Sequence, residues 1–382
     1  TIDEGLGVFM PGPSSYTGED TAELYLHGGA AVIDHALDTL CEFESTRLAE
    51  PGEFTRRAFE NGRLDLVEAE GVADLIDAET RAQKSLALDQ LDGRLSETYE
   101  GWRRSLLEVL ALLEASLDFP DEEEAPVEVT EAVASRLLET AASLQGALQD
   151  DEIGERIRDG FRIAIVGPPN AGKSSILNRL ARREAAIVSD IPGTTRDVVE
   201  VRLKIGGQIA WVADTAGLRE AEDAIEAEGV RRARERADAA DIRIQVRSED
   251  TGATFDGVGN ADLRVLNKAD LDKAEAFDEG VIALSASTGS GFSALEEALA
   301  ERLRGLAGRS SSPLITRRRH REALKRALFH VKQAESALRN GFGAELVAED
   351  ARLAAQSLSS LVGLIGVEDI LGEVFSTFCI GK

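Results

Sequence analysis

The sequence predicts a multidomain chain, part α/β and part α, in which a parallel-sheet domain interrupts a discontinuous helical domain behind a short α+β segment. Three observations predict it. Apolar residues keep a helical period from Leu64 to Leu117 and again beyond Arg317, so two helical blocks flank the middle of the chain. Between them, Ile163, Ala164, Ile165 and Val166 form a short, largely β-branched run typical of a strand buried on both faces. That run leads into Gly167-x-x-x-x-Gly172-Lys173-Ser174 and an apolar-periodic segment carrying Ile176, Leu177 and Leu180. Strand, glycine loop and helix in that order are the context a phosphate-binding P-loop requires.

Composition sets the outer bounds. A chain of 382 residues with 43% apolar content can form two or three domains with cores of their own. It has no run of ~20 apolar residues, so no membrane partner is expected and a cytoplasmic location is. It opens at Thr1 without Met and without a signal-peptide pattern, and an N-terminal portion is expected to be missing. Two cysteines, Cys41 and Cys379, give no disulfide framework. A net charge of −27 excludes a protein that wraps nucleic acid over its whole surface, though not a local basic patch.

Residues 1–62 read as a partial domain. A strand near Gly7–Met10 precedes the turn-rich stretch Pro11–Asp20, a strand over Ala22, Leu24 and Leu26, and a helix over Ala31–Glu42. Residues 63–158 form the first helical part, with helices from Leu64, over Leu86–Leu117 and over Val129–Leu148. The parallel-sheet domain covers 159–309. Residues 310–382 return to helix over Arg317–Asn340, Ala344–Leu361 and Val367–Phe375 after a Ser-Pro linker. The run Arg317, Arg318, Arg319, His320, Arg321, with Lys325 and Arg326, has two open readings: a solvated helix start, or a contact with an RNA backbone.

The inserted domain carries the chemistry. Gly167 and Gly172 allow the backbone N–H groups of Asn170, Ala171, Gly172, Lys173, Ser174 and Ser175 to close around phosphate oxygens at a helix N-terminus. Lys173 supplies a point charge to the β- and γ-phosphates, and the Ser174 hydroxyl is a Mg²⁺ ligand. Thr194 and Thr195 lie in a stretch where a threonine completes Mg²⁺ coordination and senses the γ-phosphate. Asp214 holds Mg²⁺ through water, and the Gly217 N–H reaches the γ-phosphate. In Asn267-Lys268-Ala269-Asp270, the Asp270 carboxylate accepts from both N1–H and the 2-amino group of guanine, a pair adenine lacks. Such a site supports a ~10⁴–10⁵-fold preference. Ser285 and Ala286 cover the base edge by backbone contact. The nucleotide is therefore read as GTP.

One departure shapes the mechanism. Position 218, where a water-orienting glutamine follows the glycine in Ras-type enzymes, is Leu218. Hydrolysis then needs another polar group and another positive charge. The carboxylate-rich segment 218–226 offers the first, and the Asn170 amide oxygen suits a monovalent cation.

At this point the chain resembles the MnmE (TrmE) family of tRNA-modification GTPases. The resemblance rests on PGPSSYTGED (11–20), HGG (27–29), PGEFTRRAFENGRLDL (51–66), DFPDEE (118–123), GPPNAGKSS (167–175), DIPGTTRD (190–197), DTAGLRE (214–220), NKAD (267–270) and the terminal FCIGK (378–382). It implies a P-loop, Ras-like G domain inserted into a discontinuous helical domain, with an N-terminal α+β folate-binding domain that dimerises and is here expected to be truncated. It implies a homodimer, an FAD-dependent MnmG (GidA) partner, and tRNA as substrate, whose wobble uridine gains an aminomethyl-type group at C5 from a tetrahydrofolate derivative. It assigns K⁺ to Asn170, Ser189, Ile191 and Thr194, so that the ion replaces an arginine finger when two G domains meet. Glu226 would orient the attacking water beside Lys173 and Thr195. Folate and modification chemistry would fall to Tyr16, Thr17, Glu19, Arg57, Cys379 and Lys382. The alternative reading is a regulatory GTP switch that binds RNA or ribosomes without covalent chemistry. Two local features depart from the pattern: Ile242–Arg247 alternates apolar and polar residues, unusual for a central strand, and the span from there to Asn267 is short.

Overall fold

The computed structural model describes residues 1–117, 127–149, 152–183, 200–214, 237–248, 263–271, 280–308, 313–365, 371, 372, 374, 375 and 378. The chain divides into two compact units: Thr1–Ala78 with Lys84–Gln149 and Arg317–Lys382, and Glu79–Gln83 with Asp150–Thr316.

In the first unit, β1 (Leu6–Met10) pairs antiparallel with β2 (Thr21–Tyr25), Leu6 opposite Tyr25 and Met10 opposite Thr21. Helices α1 (Ala30–Cys41) and α2 (Glu53–Glu60) follow. At eight residues with four charged side chains, α2 is too short and too charged to show a hydrophobic period. Then α3 (Leu66–Ile76) starts on a capping box, in which the Glu68 N–H donates to Asp65 Oδ1 and the Asp65 N–H to Glu68 Oε2, both at 2.8 Å. The expected helix over Leu86–Leu117 is two helices, α4 (Arg81–Leu91) and α5 (Arg94–Leu117). Gly93 turns left-handed, φ 76°, and ends the first, an exit that hydrophobic periodicity does not register.

Helices α5, α6 (Val127–Gln149), α10 (Arg318–Arg339) and α11 (Ala344–Val362) pack together in the first unit. Each buries one stripe at helical spacing. On α5 it is Leu106, Val109 and Leu113; on α6, Val133, Leu137 and Leu144; on α10, Ala323, Ala327, Val331 and Ala334; on α11, Val347, Ala351, Leu358 and Leu361. Truncating one of these leucines to alanine costs about 2–5 kcal/mol. Segments more than 160 residues apart in sequence thus share one core. A smaller cluster seats Phe375 and Phe378 against Leu66, Ala69 and Val374, with Phe59 beside them.

The basic run at 317–321 largely turns inward. Glu70 of α3, 1% exposed, accepts from Arg319 Nη2 at 2.7 Å and from His320 Nε2 at 3.0 Å. Arg317 Nη2 donates to Asp74 Oδ1 at 2.7 Å, and Arg319 Nη1 to the Leu361 carbonyl at 3.1 Å. Arg318 instead faces solvent and pairs with Glu322 one turn on. Arg317 and Arg319, two of the positions that suggested a surface patch, therefore neutralise a buried carboxylate and its neighbour, and His320 hydrogen-bonds the same carboxylate. Neither of the two open readings anticipated this.

Among its described residues, the second unit contains a six-stranded sheet in the order β4-β5-β3-β6-β7-β8. Its strands are β3 (Phe161–Val166), β4 (Glu200–Ile205), β5 (Gln208–Asp214), β6 (Ile242–Arg247), β7 (Leu263–Leu266) and β8 (Val281–Ala283). Only the edge strand β4 runs antiparallel to its neighbour. On β6, Ile242, Ile244 and Val246 are buried while the alternate residues are half-buried, so this central strand has one fully apolar face. Helices α7 (Ile153–Asp159), α8 (Lys173–Arg183) and α9 (Phe292–Ala307) complete the described part. Glu79–Gln83 group here because Arg202 Nη1 and Lys204 Nζ donate to Glu79 and Gln83 Nε2 donates to the Arg158 carbonyl, at 2.6, 3.0 and 2.9 Å. The ends of β3, β5, β7 and β8 release their loops at the carboxyl edge of the sheet, where α/β folds place ligands.

The buried charge cluster makes stability pH-dependent. Burial and the charge of Arg319 push the His320 imidazole down to about 4. Burial alone would raise the Glu70 carboxyl, but Arg319 and His320 outweigh it and hold the group well below the usual range. Both folded-state values are depressed, so the unfolded chain binds the extra protons as pH falls. The His320 contribution is lost from about 6.5 down to about 4, and the Glu70 contribution below about 4.5. Urea midpoints should fall as pH drops from 7 to 5, and His320→Gln should flatten that slope. An unchanged slope in the variant would contradict the assignment.

Candidate functional site

The loop after β3 turns through positive φ at Gly167, Asn170 and Gly172 (152°, 63° and 89°), and α8 begins at Lys173. Lys173 Nζ donates to the Gly167 and Pro168 carbonyls, both at 2.9 Å, so the ammonium lies folded over the loop it would share with a phosphate. Burial pushes this group down and Asp214 opposes the shift. Ser174 Oγ donates to Asp214 Oδ2, while Asp214 Oδ1 is buried with no partner among the described residues. A hydroxyl beside an orphaned carboxylate oxygen is the hard donor set that Mg²⁺ takes, so these residues fit the ion. Ser175 is exposed on the first turn of α8.

The base loops form a second cluster. Asn267, 3% exposed, donates from Nδ2 to the Ala171 carbonyl at 2.8 Å and accepts at Oδ1 from the Ala286 N–H at 3.0 Å. Its amide thus ties the phosphate loop to the base loop. The fit is close: Gly172 has φ 89°, and a Cβ there would sit 2.1 Å from Asn267 Nδ2. Lys268, half-buried, adopts φ 64°. Asp270 is exposed and accepts from Ser287 Oγ at 3.2 Å; hydrogen bonds from Ser285 and Ser287 hold its carboxyl below the usual range. Ser285 is fully buried, its hydroxyl bonded to Ser287 Oγ at 2.9 Å and to the Thr288 N–H at 3.1 Å.

Sequence reasoning missed Arg179. Its guanidinium donates from Nη1 to the Ala286 and Ser287 carbonyls and from Nη2 to the Thr288 carbonyl, each at 2.9 Å. On a helical wheel it is one more polar residue of an amphipathic helix, and no spacing rule marks it.

In the first unit the turn-rich stretch 11–20 docks on α2. Tyr16 Oη lies 2.9 Å from Thr55 Oγ1, and Asn61 Nδ2 donates to the Thr17 carbonyl at 2.9 Å. Arg57 bridges Glu19 and Glu53, at 2.9 Å to each. An open cleft of about 580 Å³ lies there, lined by Glu19, Arg47, Glu53, Arg57, Leu371 and Phe375. Arg47, then the Glu50 N–H, holds the Glu53 carboxyl down to about 2. Thus Tyr16, Thr17, Glu19 and Arg57 come together. Ser189, Ile191, Thr194, Thr195, Gly217, Leu218, Glu226, Cys379 and Lys382 lie outside the described residues.

Comparison with known proteins places the whole chain. The model of the GTP-binding protein TrmE N-terminus matches residues 1–63, and that of the MnmE helical domain matches residues 66–379. The tRNA modification GTPase MnmE of Hyphomonas neptunium is 57% identical over 382 residues, covering 100% of this chain and 87% of its own. The chain belongs to the MnmE family of tRNA modification GTPases. MnmE of Parvibaculum lavamentivorans and of Maricaulis maris are 54% and 51% identical, again over 100% of this chain and 87% of theirs. A structural likeness to Aquifex aeolicus Era, at 17% identity over 53% of this chain and 89% of that one, has a TM-score of 0.30 and adds nothing to that assignment. Within a chain of this family, Lys173, Ser174 and Asp214 are the described side chains whose chemistry fits a phosphate and Mg²⁺.

Proposed function

We propose that this MnmE-family GTPase hydrolyses GTP in the service of tRNA modification: with an FAD-dependent partner of the MnmG type, it adds an aminomethyl-type group to C5 of a wobble uridine from a tetrahydrofolate one-carbon unit. The observation that carries the reading is end-to-end identity of 57% with a tRNA modification GTPase, joined to a GTP site whose described residues fit their roles. Lys173 leaves the Gly167 and Pro168 carbonyls for the β- and γ-phosphates, Ser174 and Asp214 hold Mg²⁺, and Asp270 reads the guanine edge. Mg²⁺ supplies charge neutralisation between the phosphates. Glu226, Thr195 and the Gly217 N–H act at the γ-phosphate end.

Other parts of the proposal have separate support. The cleft between Arg57 and Phe375 offers a folate the guanidinium groups of Arg47, Arg56 and Arg57 and an aromatic wall, beside Phe378, the residue preceding Cys379. Homodimerisation is supported by apolar surface on the N-terminal segment: Leu6, Phe9, Leu24 and Tyr25 on the two strands and Ile33, Leu37 and Leu40 on α1 are exposed. For K⁺, support comes from Asn170, which sits exposed at the loop's lip with φ 63°, and from Leu218 in the glutamine's place. Ser189, Ile191 and Thr194 would complete that site when two G domains meet. Among the described residues no helix is long and apolar enough to cross a membrane.

Deleting the gene and analysing tRNA nucleosides should show loss of the C5-modified wobble uridine. Unchanged nucleosides would leave the RNA- or ribosome-binding switch in its place. Purified chain should turn over GTP at least tenfold faster in K⁺ than in Na⁺ at equal ionic strength, since one catalytic cation is worth several kcal/mol at the transition state. Equal rates in the two salts would remove the K⁺ role.

A further inference from the structure

We propose that Arg179 is a positioning residue for guanine recognition: it fixes the base loop from the phosphate-loop helix, so that one rigid part sets both the grip on phosphate and the choice of base. The inference rests on the reading that Asp270 and the loop after β8 hold the base. Three consecutive carbonyls, Ala286, Ser287 and Thr288, converge on one guanidinium, each at 2.9 Å. A planar fork with fixed donors imposes the orientation of those three peptide planes, which a flexible point charge does not. Because a trans peptide points N–H and C=O in opposite directions, the loop's N–H groups are then directed away from Arg179.

The surrounding contacts show a seat built for this side chain. The guanidinium stacks over the buried Phe292 ring, 5.6 Å from its centroid, at the first residue of α9. No carboxylate among the described residues pairs with it. Its charge is spent on carbonyl dipoles rather than on an ion pair, which shields the loop's oxygens from repelling a guanine oxygen. Gly289, φ 91°, is what lets the chain come this close: a Cβ there would lie 2.0 Å from Arg179 Nη2. The loop so held presents Ser287, whose hydroxyl donates to Asp270 Oδ2, and Ala286, whose N–H is held by Asn267. Arg179 therefore stands six residues along the helix from Lys173 and one hydrogen bond from the residue that steadies Asp270.

The test is equilibrium binding of GDP, IDP (which lacks the 2-amino group) and inorganic tripolyphosphate to the full chain. Losing the charge-assisted bonds in Arg179→Met should weaken GDP about tenfold and shrink the GDP/IDP ratio, with tripolyphosphate unchanged. Arg179→Lys, which keeps charge but not the fork, should fall between. Gly289→Ala should act in the same direction from the other side of the contact. The double variant should lose less than the product of the two single effects, since both break one interaction. Equal weakening of GDP and tripolyphosphate would make Arg179 a general structural residue and overturn the proposal. So would unchanged GDP affinity and GDP/IDP ratio. Asp270→Asn separates the two readings: it should turn preference toward XDP. A switch there with a silent Arg179→Met sinks only the Arg179 inference, whereas no switch sinks the base-site reading beneath it.

Discussion

The side-chain amide of Asn267 donates to the Ala171 carbonyl of the phosphate loop and accepts from the Ala286 N–H of the base loop, with almost no exposure to water. Each bond is worth about 1 kcal/mol net, yet removing the amide strands the buried Ala171 carbonyl, at about 1–3 kcal/mol, and leaves the half-buried Ala286 N–H without its acceptor. Loops from three strands of the sheet, β3, β7 and β8, meet at this one group. Gly172 carries no side chain where the amide passes, and the backbone of Asn267 is itself anchored by its N–H to the Arg247 carbonyl of β6 at 2.8 Å. The GTP site is thus a set of loops with a common buried tie. Arg179 adds a second tie further out along the same base loop.

The helical unit relies on a comparable device of opposite electrostatic character. Glu70 would not stay ionised at 1% exposure without Arg319 and His320, and those residues would not turn inward without Glu70. Breaking such a pair from one side costs about 3–5 kcal/mol, because the remaining charge is left buried. The pair joins α3 to α10, which lie on either side of the inserted domain in sequence. It helps a discontinuous domain close on itself, while four helical stripes supply the apolar area.

The fold was legible wherever a period or a motif spoke. Ile163–Val166, the glycine loop and the paired helical blocks read as they stand in the structure, and Ser174 and Asp214, expected to share one ion, lie within a hydrogen bond of each other. What was illegible depends on partners far away in sequence. Nothing local in Arg317–Arg321 says that Glu70 waits 250 residues upstream, so a basic run looked like surface. The motif around Asn267 does not say that its amide bonds two loops at once, because neither the Ala171 carbonyl nor the Ala286 N–H has a sequence signature. Arg179 left no trace, since three backbone carbonyls have no sequence signature. Gly93 split a periodic helix because one left-handed residue does not disturb hydrophobic spacing.

Calorimetric binding of GDP and of inorganic tripolyphosphate to Asn267→Ala, against the parent chain, tests the common tie most directly. The structure predicts that both ligands weaken together, by roughly tenfold or more, because the lost amide supports the phosphate loop as well as the base loop. Tripolyphosphate bound as tightly as before would show that the phosphate loop holds its shape unaided, and would contradict the claim that one buried amide organises the site.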